Sequence, residues 1–346
     1  MIIKSVEASL PERIVSNEET LDLIRTYSRE HKGSIEKSLK IIQRFLELSG
    51  LREIRMCGPG ECPLDHIQRT VSSALKNSGL SPGDLECLIY VGIGRGFLEP
   101  GNGHMVAAAL GINKAECFDV VDACQSYIRA LRIVDSFFKT GIYHNALIVN
   151  AEFNLLPGGP INPANYSLSS KEQIPYVFPS YTIGEAASAT ILLPDVPDNF
   201  EFHFTSRPDL ASLCTVPLNA WDQFCHADEK IGRNGPMRFT SFGRELHDQA
   251  LPETTKVFKQ LSKTDDLKKI FVHSSSKREW TKFGEAVGVA SLLHHTYPVT
   301  GNVVSASIPV AMADAIEKNL IKKEDPLAFW VGSAGMSFSA TRFVWL

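Results

Sequence analysis

The chain of 346 residues contains no apolar run approaching the roughly 20 residues that a helical bilayer span requires, so a membrane-spanning protein is not expected. It has no CxxC pair, and its seven cysteines (57, 62, 87, 117, 124, 214 and 225) are odd in number, which argues against a disulfide framework. Cys57 and Cys62 have no second Cys or His pair at a spacing that completes four ligands, so no metal is expected. Low-complexity segments and short tandem repeats are missing. The start, Met1 to Ala8, alternates apolar and polar residues like a strand and lacks the long apolar stretch of a signal peptide. Charge of either sign is in little excess: 39 acidic against 35 basic residues give −4, which offers no footprint for nucleic acid or an anionic membrane. These absences together place the protein in the cytoplasm.

What is present is a globular composition, 44% hydrophobic and 21% charged. Short, almost wholly apolar runs at 87–92, 117–121, 146–150, 189–193, 270–273, 328–331 and 340–344 read as strands covered on both faces. Helical patterns fall between them. Residues 126–139 place Ile128, Leu131, Val134 and Phe138 on one face before Gly141, residues 66–77 precede Gly79, and residues 305–319 space Ala306, Val310, Ala313 and Ile316 for burial. Strand and helix alternate throughout, so the fold class is α/β. The chain divides near residue 195, with a similar share of strands and helices on each side. Residues 156–180, with prolines at 157, 160, 163, 175 and 179, and residues 207–237 lack periodicity and read as binding loops, lids or surface insertions. Residues 25–48 form a basic amphipathic stretch, either a solvated helix face or a dock for an acidic carrier protein or a phosphate-bearing cofactor.

Three polar residues stand where a strand or loop gives way to a helix: Cys124 after 117–121, His273 after 270–272, and Asn302 ahead of the 305–319 helix. In an open α/β sheet, ligands bind beyond the carboxyl ends of the strands, so all three are expected at one cleft. A thiol at a helix start is expected to have a lowered pKa and to attack a thioester. Around these residues the chain resembles β-ketoacyl-acyl-carrier-protein synthase III, of the thiolase superfamily. Asp122-Ala123-Cys124-Gln125-Ser126-Tyr127 is similar to that family's nucleophile turn, Gly301-Asn302-Val303-Val304-Ser305-Ala306-Ser307-Ile308-Pro309 to its Gly-Asn-Thr-Ser-Ala-Ala-Ser-Val-Pro, and Ser49-Gly50-Leu51-Arg52-Glu53 to its Thr-Gly-Ile-Arg-Glu.

The resemblance implies a thiolase-like fold of two similar βαβαβαββ halves in an α-β-α-β-α stack, with Cys124 in residues 1–195 and His273 and Asn302 in residues 196–346. It implies a decarboxylative Claisen condensation through an acyl-Cys124 intermediate, with His273 and Asn302 holding the malonyl thioester carbonyl. The backbone amides of Cys124 and of Ala334 or Gly335 would form the oxyanion hole. No bound cofactor is implied. Acyl and malonyl thioesters of coenzyme A or an acyl carrier protein are the substrates, the carrier protein is a partner, and the chain forms a homodimer.

Departures from the family's pattern bear on substrate. Gly184-Glu185-Ala186-Ala187-Ser188-Ala189 replaces Gly-Asp-Gly-Ala-Gly-Ala, and His273-Ser274-Ser275-Ser276 replaces His-Gln-Ala-Asn. Arg44 and Leu48 stand where the family binds the nucleotide of coenzyme A, which favours a carrier-bound donor. Glu99 replaces the aromatic residue that reaches the partner's acyl pocket. Glu99, Ser276 and Arg44 are therefore candidate substrate-pocket residues, and a specialised-metabolism relative is expected. Two other readings stand beside condensation: acyl transfer from Cys124 to an alcohol or amine, and a non-catalytic partner of an active paralogue.

Overall fold

In a β-strand successive side chains turn to opposite faces, so a run that is apolar at every position needs cover on both sides. The computed structural model, which describes residues 1–159, 161–196 and 198–346, supplies that cover. The first sheet contains β1 (Ile2–Ser9), β2 (Cys87–Val91), β3 (Glu116–Val120), β4 (Ala146–Glu152) and β5 (Ala186–Leu193), in the spatial order β1-β5-β4-β2-β3. The second contains β6 (Phe200–Ser206), β7 (Lys269–Val272), β8 (Leu293–His294), β9 (Pro326–Ser333) and β10 (Ser337–Val344), in the order β6-β10-β9-β7-β8. The two orders are the same, and so are the directions. The first two pairings of each sheet are antiparallel (β1–β5 and β5–β4; β6–β10 and β10–β9), and the last two are parallel.

The principal helices are α1 (Asn17–Tyr27), α2 (Ile35–Ser49), α3 (Pro63–Ser78), α4 (Asn102–Ala109), α5 (Ser126–Thr140), α6 (Gly243–Phe258), α7 (Lys277–Ala286) and α8 (Ser307–Glu317). Ile128, Leu131 and Val134 of α5 pack with Ile308 and Met312 of α8 between the inner faces of both sheets, against Ile89 and Val91 on one side and Phe329 and Val331 on the other. Leu88 and Tyr90, pointing the opposite way from β2, are covered by Ile67 and Val71 of α3 and by Val106 of α4. Ile270 and Trp330 of the second sheet are covered by Phe258 of α6 and Trp280 and Phe283 of α7. The result is the expected α-β-α-β-α stack, with α5 and α8 as its central layer.

Several local expectations change. Residues 25–48 are not one helix: α1 ends at Tyr27 and α2 starts at Ile35, where the Ser34 side chain caps the amide of Lys37. The 305–319 helix is entered through a 3₁₀ turn at Val304–Ala306, and α8 proper begins at Ser307. β6 and α6 carry no sequence signal clear enough to be read, since β6 is only half-buried along most of its length and α6 holds Pro252 in its interior. Residues 156–180 are not a free loop. Tyr166, Leu168, Ile174 and Val177 are buried against Ile24, Leu39 and Ile42, while Pro160 lies outside the described residues.

One close approach ties this fold to its site. A Cβ added at Gly184 would lie 1.9 Å from the carbonyl oxygen of Thr300, and the Gly184 amide donates to Asn302 O at 3.0 Å. Backbone sits on both sides of that contact, so relaxation is limited. Gly184→Ala is expected to cost about 3 kcal/mol or more, read as a lowered urea midpoint. A midpoint unchanged from the parent protein would refute the close approach.

Candidate active site

The chain leaves β3 at Val120 and must turn sharply to enter α5. Ala123 takes up the strain in the left-handed region at φ 46°, and a 3₁₀ turn, Ala123–Gln125, leads into Ser126. For a residue with a Cβ this backbone costs on the order of 1–3 kcal/mol and needs outside support. Ser126 provides it, with Oγ accepting from Asp122 N at 2.8 Å and donating to Ala123 O at 2.7 Å. Arg129 Nε holds Asp122 Oδ2 at 3.0 Å, and Ser333 Oγ from the end of β9 donates to Asp122 O at 3.3 Å. Cys124 is thus fixed at the head of the central helix, and its residue keeps partial exposure.

The lowered thiol pKa expected from the helix start is not found. Burial raises the Cys124 pKa well above its ordinary value, and the neighbouring Cys214 and Glu152 raise it further. The Ser333 hydroxyl and the Cys124 amide pull the other way and do not prevail. A helix start carries only about half a unit charge, less than the combined effect of enclosure and a facing carboxylate. The resting nucleophile is a thiol.

The second half repeats the turn. Val304 stands at φ 47°, the 3₁₀ turn Val304–Ala306 follows, and Ser307 opens α8 while its Oγ donates to Val304 O at 2.6 Å, as Ser126 does to Ala123 O. Asn302 is pinned just before this turn. Its amide donates to Thr182 O at 2.7 Å and its carbonyl accepts from Gly184 N at 3.0 Å. Its Oδ1 accepts from Val304 N at 3.0 Å, which commits the oxygen and presents Nδ2 as a donor.

His273 follows β7, with its amide bonded to Trp330 O at 3.2 Å and its Nδ1 3.1 Å from Ser307 Oγ. The single Ser307 hydrogen goes to Val304, so Ser307 accepts from Nδ1–H and leaves Nε2 with a free lone pair. Burial first, and the nearby His247 second, push the His273 pKa down to about 4, so the ring is neutral at physiological pH. In this arrangement His273 Nε2 offers a lone pair and Asn302 Nδ2 offers a hydrogen.

The three serines after His273 are structural. Ser274 Oγ donates to Gly301 O at 2.5 Å, Ser275 Oγ accepts from Trp280 Nε1 at 2.8 Å, and Ser276 caps the Glu279 amide at the start of α7. Ser276 spends its oxygen on that cap. Arg44 is exposed on α2, and Glu99 is exposed beside Pro100. Ala334 and Gly335 lie in the turn joining β9 to β10, where Met336 N is already engaged by Arg207 O at 3.1 Å. Sequence reasoning missed Ser333, Glu152, Cys214 and His247. Ser333 adjoins the recognised glycine loop, whereas the other three come from segments with no motif and are brought in only by the tertiary fold.

Residues 259–345 match the family described as 3-oxoacyl-[acyl-carrier-protein] synthase III C terminal. The whole chain is similar to β-ketoacyl-[acyl-carrier-protein] synthase III of Clostridium beijerinckii, 24% identical over 357 aligned positions covering 99% of this chain and 98% of the relative. The enzyme of that name from Synechocystis is 24% identical over 306 positions, covering 86% and 88%. Among solved structures, Xanthomonas campestris OleA with bound lauric acid and lauroyl-CoA shares the fold at a TM-score of 0.82 and 17% identity, covering 99% of this chain and 98% of that one. The synthase III of Xanthomonas oryzae pv. oryzae gives 0.81 and 19%, with the same coverage.

Two pH dependences follow. Iodoacetamide should label Cys124 slowly at neutral pH, with a midpoint above the ordinary thiol value of 9.0, as read by peptide mass. Because His273 titrates at about 4, any step that needs its free Nε2 should hold its rate as pH falls through 6.5 and lose it only near 4. An acid limb centred near 6.5 would contradict the buried, neutral imidazole.

Proposed function

We propose that this chain is a β-ketoacyl-acyl-carrier-protein synthase III-like protein of the thiolase superfamily, and that it condenses acyl thioesters through an acyl-Cys124 intermediate. The observation that carries the reading is the pairing of two strained turns at the heads of the adjacent central helices, one presenting Cys124 and the other presenting Asn302 and holding His273.

The Cys124 thiol attacks the donor carbonyl while His273 Nε2 takes its proton, then returns it to the departing thiol. The amide of Cys124 and that of Ala334 or Gly335 receive the tetrahedral oxyanion. A malonyl thioester then binds with its carbonyl oxygen at Asn302 Nδ2. Carbon dioxide leaves, negative charge gathers on that oxygen, and the enolate carbon attacks the acyl-Cys124 carbonyl to form the carbon–carbon bond. An amide is suited to this task because it stays a donor at every working pH, whereas a carboxylate would repel the enolate.

Lys277, Arg278 and Lys282 of α7 line a surface hollow with Leu48 and Gly50. That basic rim supports a phosphate-bearing arm on an acidic carrier protein, and takes over the role that Arg44 and Leu48 leave unfilled. The edge strand β3, flanked by exposed Phe97, Leu98 and Val121, supports a homodimer formed across that edge. The lauroyl ligand of OleA makes long acyl thioesters the first donors to test.

One observation favours a second reading. A neutral His273 with a free Nε2 is equally suited to deprotonating an alcohol or amine acceptor, which would make the chain an acyltransferase. Product analysis separates the two: condensation releases carbon dioxide and a β-keto thioester, and transfer yields an ester or amide with no carbon dioxide.

Cys124→Ala should abolish the acyl adduct seen by intact mass. Asn302→Ala should acylate normally and release carbon dioxide about 100-fold more slowly, the loss expected for one oxyanion donor. Unchanged carbon dioxide release in Asn302→Ala would rule out the condensing mechanism.

A further inference from the structure

Glu152 ends β4 with its side chain fully buried. Its two oxygens accept from Ile93 N at 3.3 Å, Gly94 N at 2.9 Å, Asn154 Nδ2 at 3.1 Å, Ser305 N at 3.3 Å and the Ser305 hydroxyl. Burial raises the Glu152 pKa above the ordinary carboxyl value, and the hydrogen bonds from Ser305, Asn154 and Gly94 oppose that rise without cancelling it. A Cβ on Gly92 would lie 2.2 Å from Glu152 Oε1 and 2.7 Å from Ser305 Oγ, so the backbone of the first half is shaped around this pair.

Ser305 is the counterpart of Cys124. Each is the second residue of a 3₁₀ turn whose first residue is left-handed, and each stands two residues ahead of the serine that opens a central helix. The partner of Ser305 is therefore a carboxylate from the opposite half of the chain. The same turn holds Asn302, through Val304 N, and His273, through Ser307.

We infer that Glu152 is a positioning residue for the decarboxylating half of the reaction: its buried carboxyl group clamps the 302–307 turn that carries Asn302 and seats His273. The inference rests on the proposed roles of Cys124 and Asn302 and adds a buried group that touches neither substrate nor reacting atoms.

Two variants loosen the clamp from opposite ends. Glu152→Gln replaces one acceptor oxygen with a donor, and Ser305→Ala deletes the hydroxyl that the carboxyl group grips. In each, carbon dioxide release from a malonyl thioester should fall about tenfold or more. Amide hydrogen exchange across residues 302–307, read by peptide mass, should quicken about tenfold, while exchange across residues 123–125 stays within about twofold of the parent protein.

A residue that only stabilises the fold would lower the thermal midpoint without loosening residues 302–307 selectively. The inference is overturned if Ser305→Ala releases carbon dioxide within twofold of the parent, or if exchange across residues 302–307 in that variant stays within twofold of it. Should Glu152→Gln fail to fold, Ser305→Ala decides. A parent protein that takes no acyl group on Cys124 would remove the condensing function, while the exchange comparison would still decide whether Glu152 clamps the turn.

Discussion

Everything at the site depends on two left-handed residues, Ala123 and Val304, at the heads of α5 and α8. Neither is glycine, so each carries a strained backbone that only its surroundings maintain. The supports are alike in kind: a serine at the first helical position returns a hydrogen bond to the strained carbonyl, at 2.7 Å in one half and 2.6 Å in the other. Because α5 and α8 lie side by side in the central layer, fixing the two turns fixes the separation of Cys124 and Asn302 with no loop motion. A site built on the starts of packed helices is stiffer than one built on loop tips, and preorganised donors act only if they are stiff.

The same central placement decides the electrostatics. A helix start favours an anion, but the ends of β4 and β9 and the 214–215 strand close around Cys124, and enclosure favours the neutral thiol. His273 meets the same force with the opposite sign, losing its proton to burial. Both groups of the acylating pair therefore rest uncharged. That suits a mechanism in which a proton moves from sulfur to Nε2 only when a thioester is bound, and it spares the empty site a buried ion pair.

How much of this was legible follows the range of each interaction. Cys124, His273 and Asn302 could be read because each lies where a local apolar strand pattern breaks at a helix start, and that pattern is written in neighbouring residues. The alternation of β1 and the stop at Gly141 are local in the same way. The thiol pKa was misjudged because its causes, enclosure and the neighbouring Cys214 and Glu152, come from residues 28 to 90 positions away in the chain. Glu152 itself looks like an ordinary strand-end acid until Ser305, 153 residues further on, is brought against it. The three serines that replace the family's Gln-Ala-Asn after His273 turn out to brace Gly301, Trp280 and α7.

The duplication also explains why a fold with two equivalent turns carries one set of reactive groups. Strand register places Val91 opposite Asn150 in the first sheet and Val272 opposite Trp330 in the second, so Gly92 and His273 occupy equivalent positions. In the second half the imidazole of His273 reaches Ser307. In the first half the space an imidazole would need is taken by the Glu152 carboxylate and the Ser305 hydroxyl, and only glycine fits. Ser305, with 1% exposure, is thus sealed by the acid that holds it, while Cys124 keeps an opening. The second half places the His273 imidazole at that position, and the first fills the corresponding space with a buried polar clamp. The clamp steadies the second half, since the turn it grips is the turn that holds Asn302.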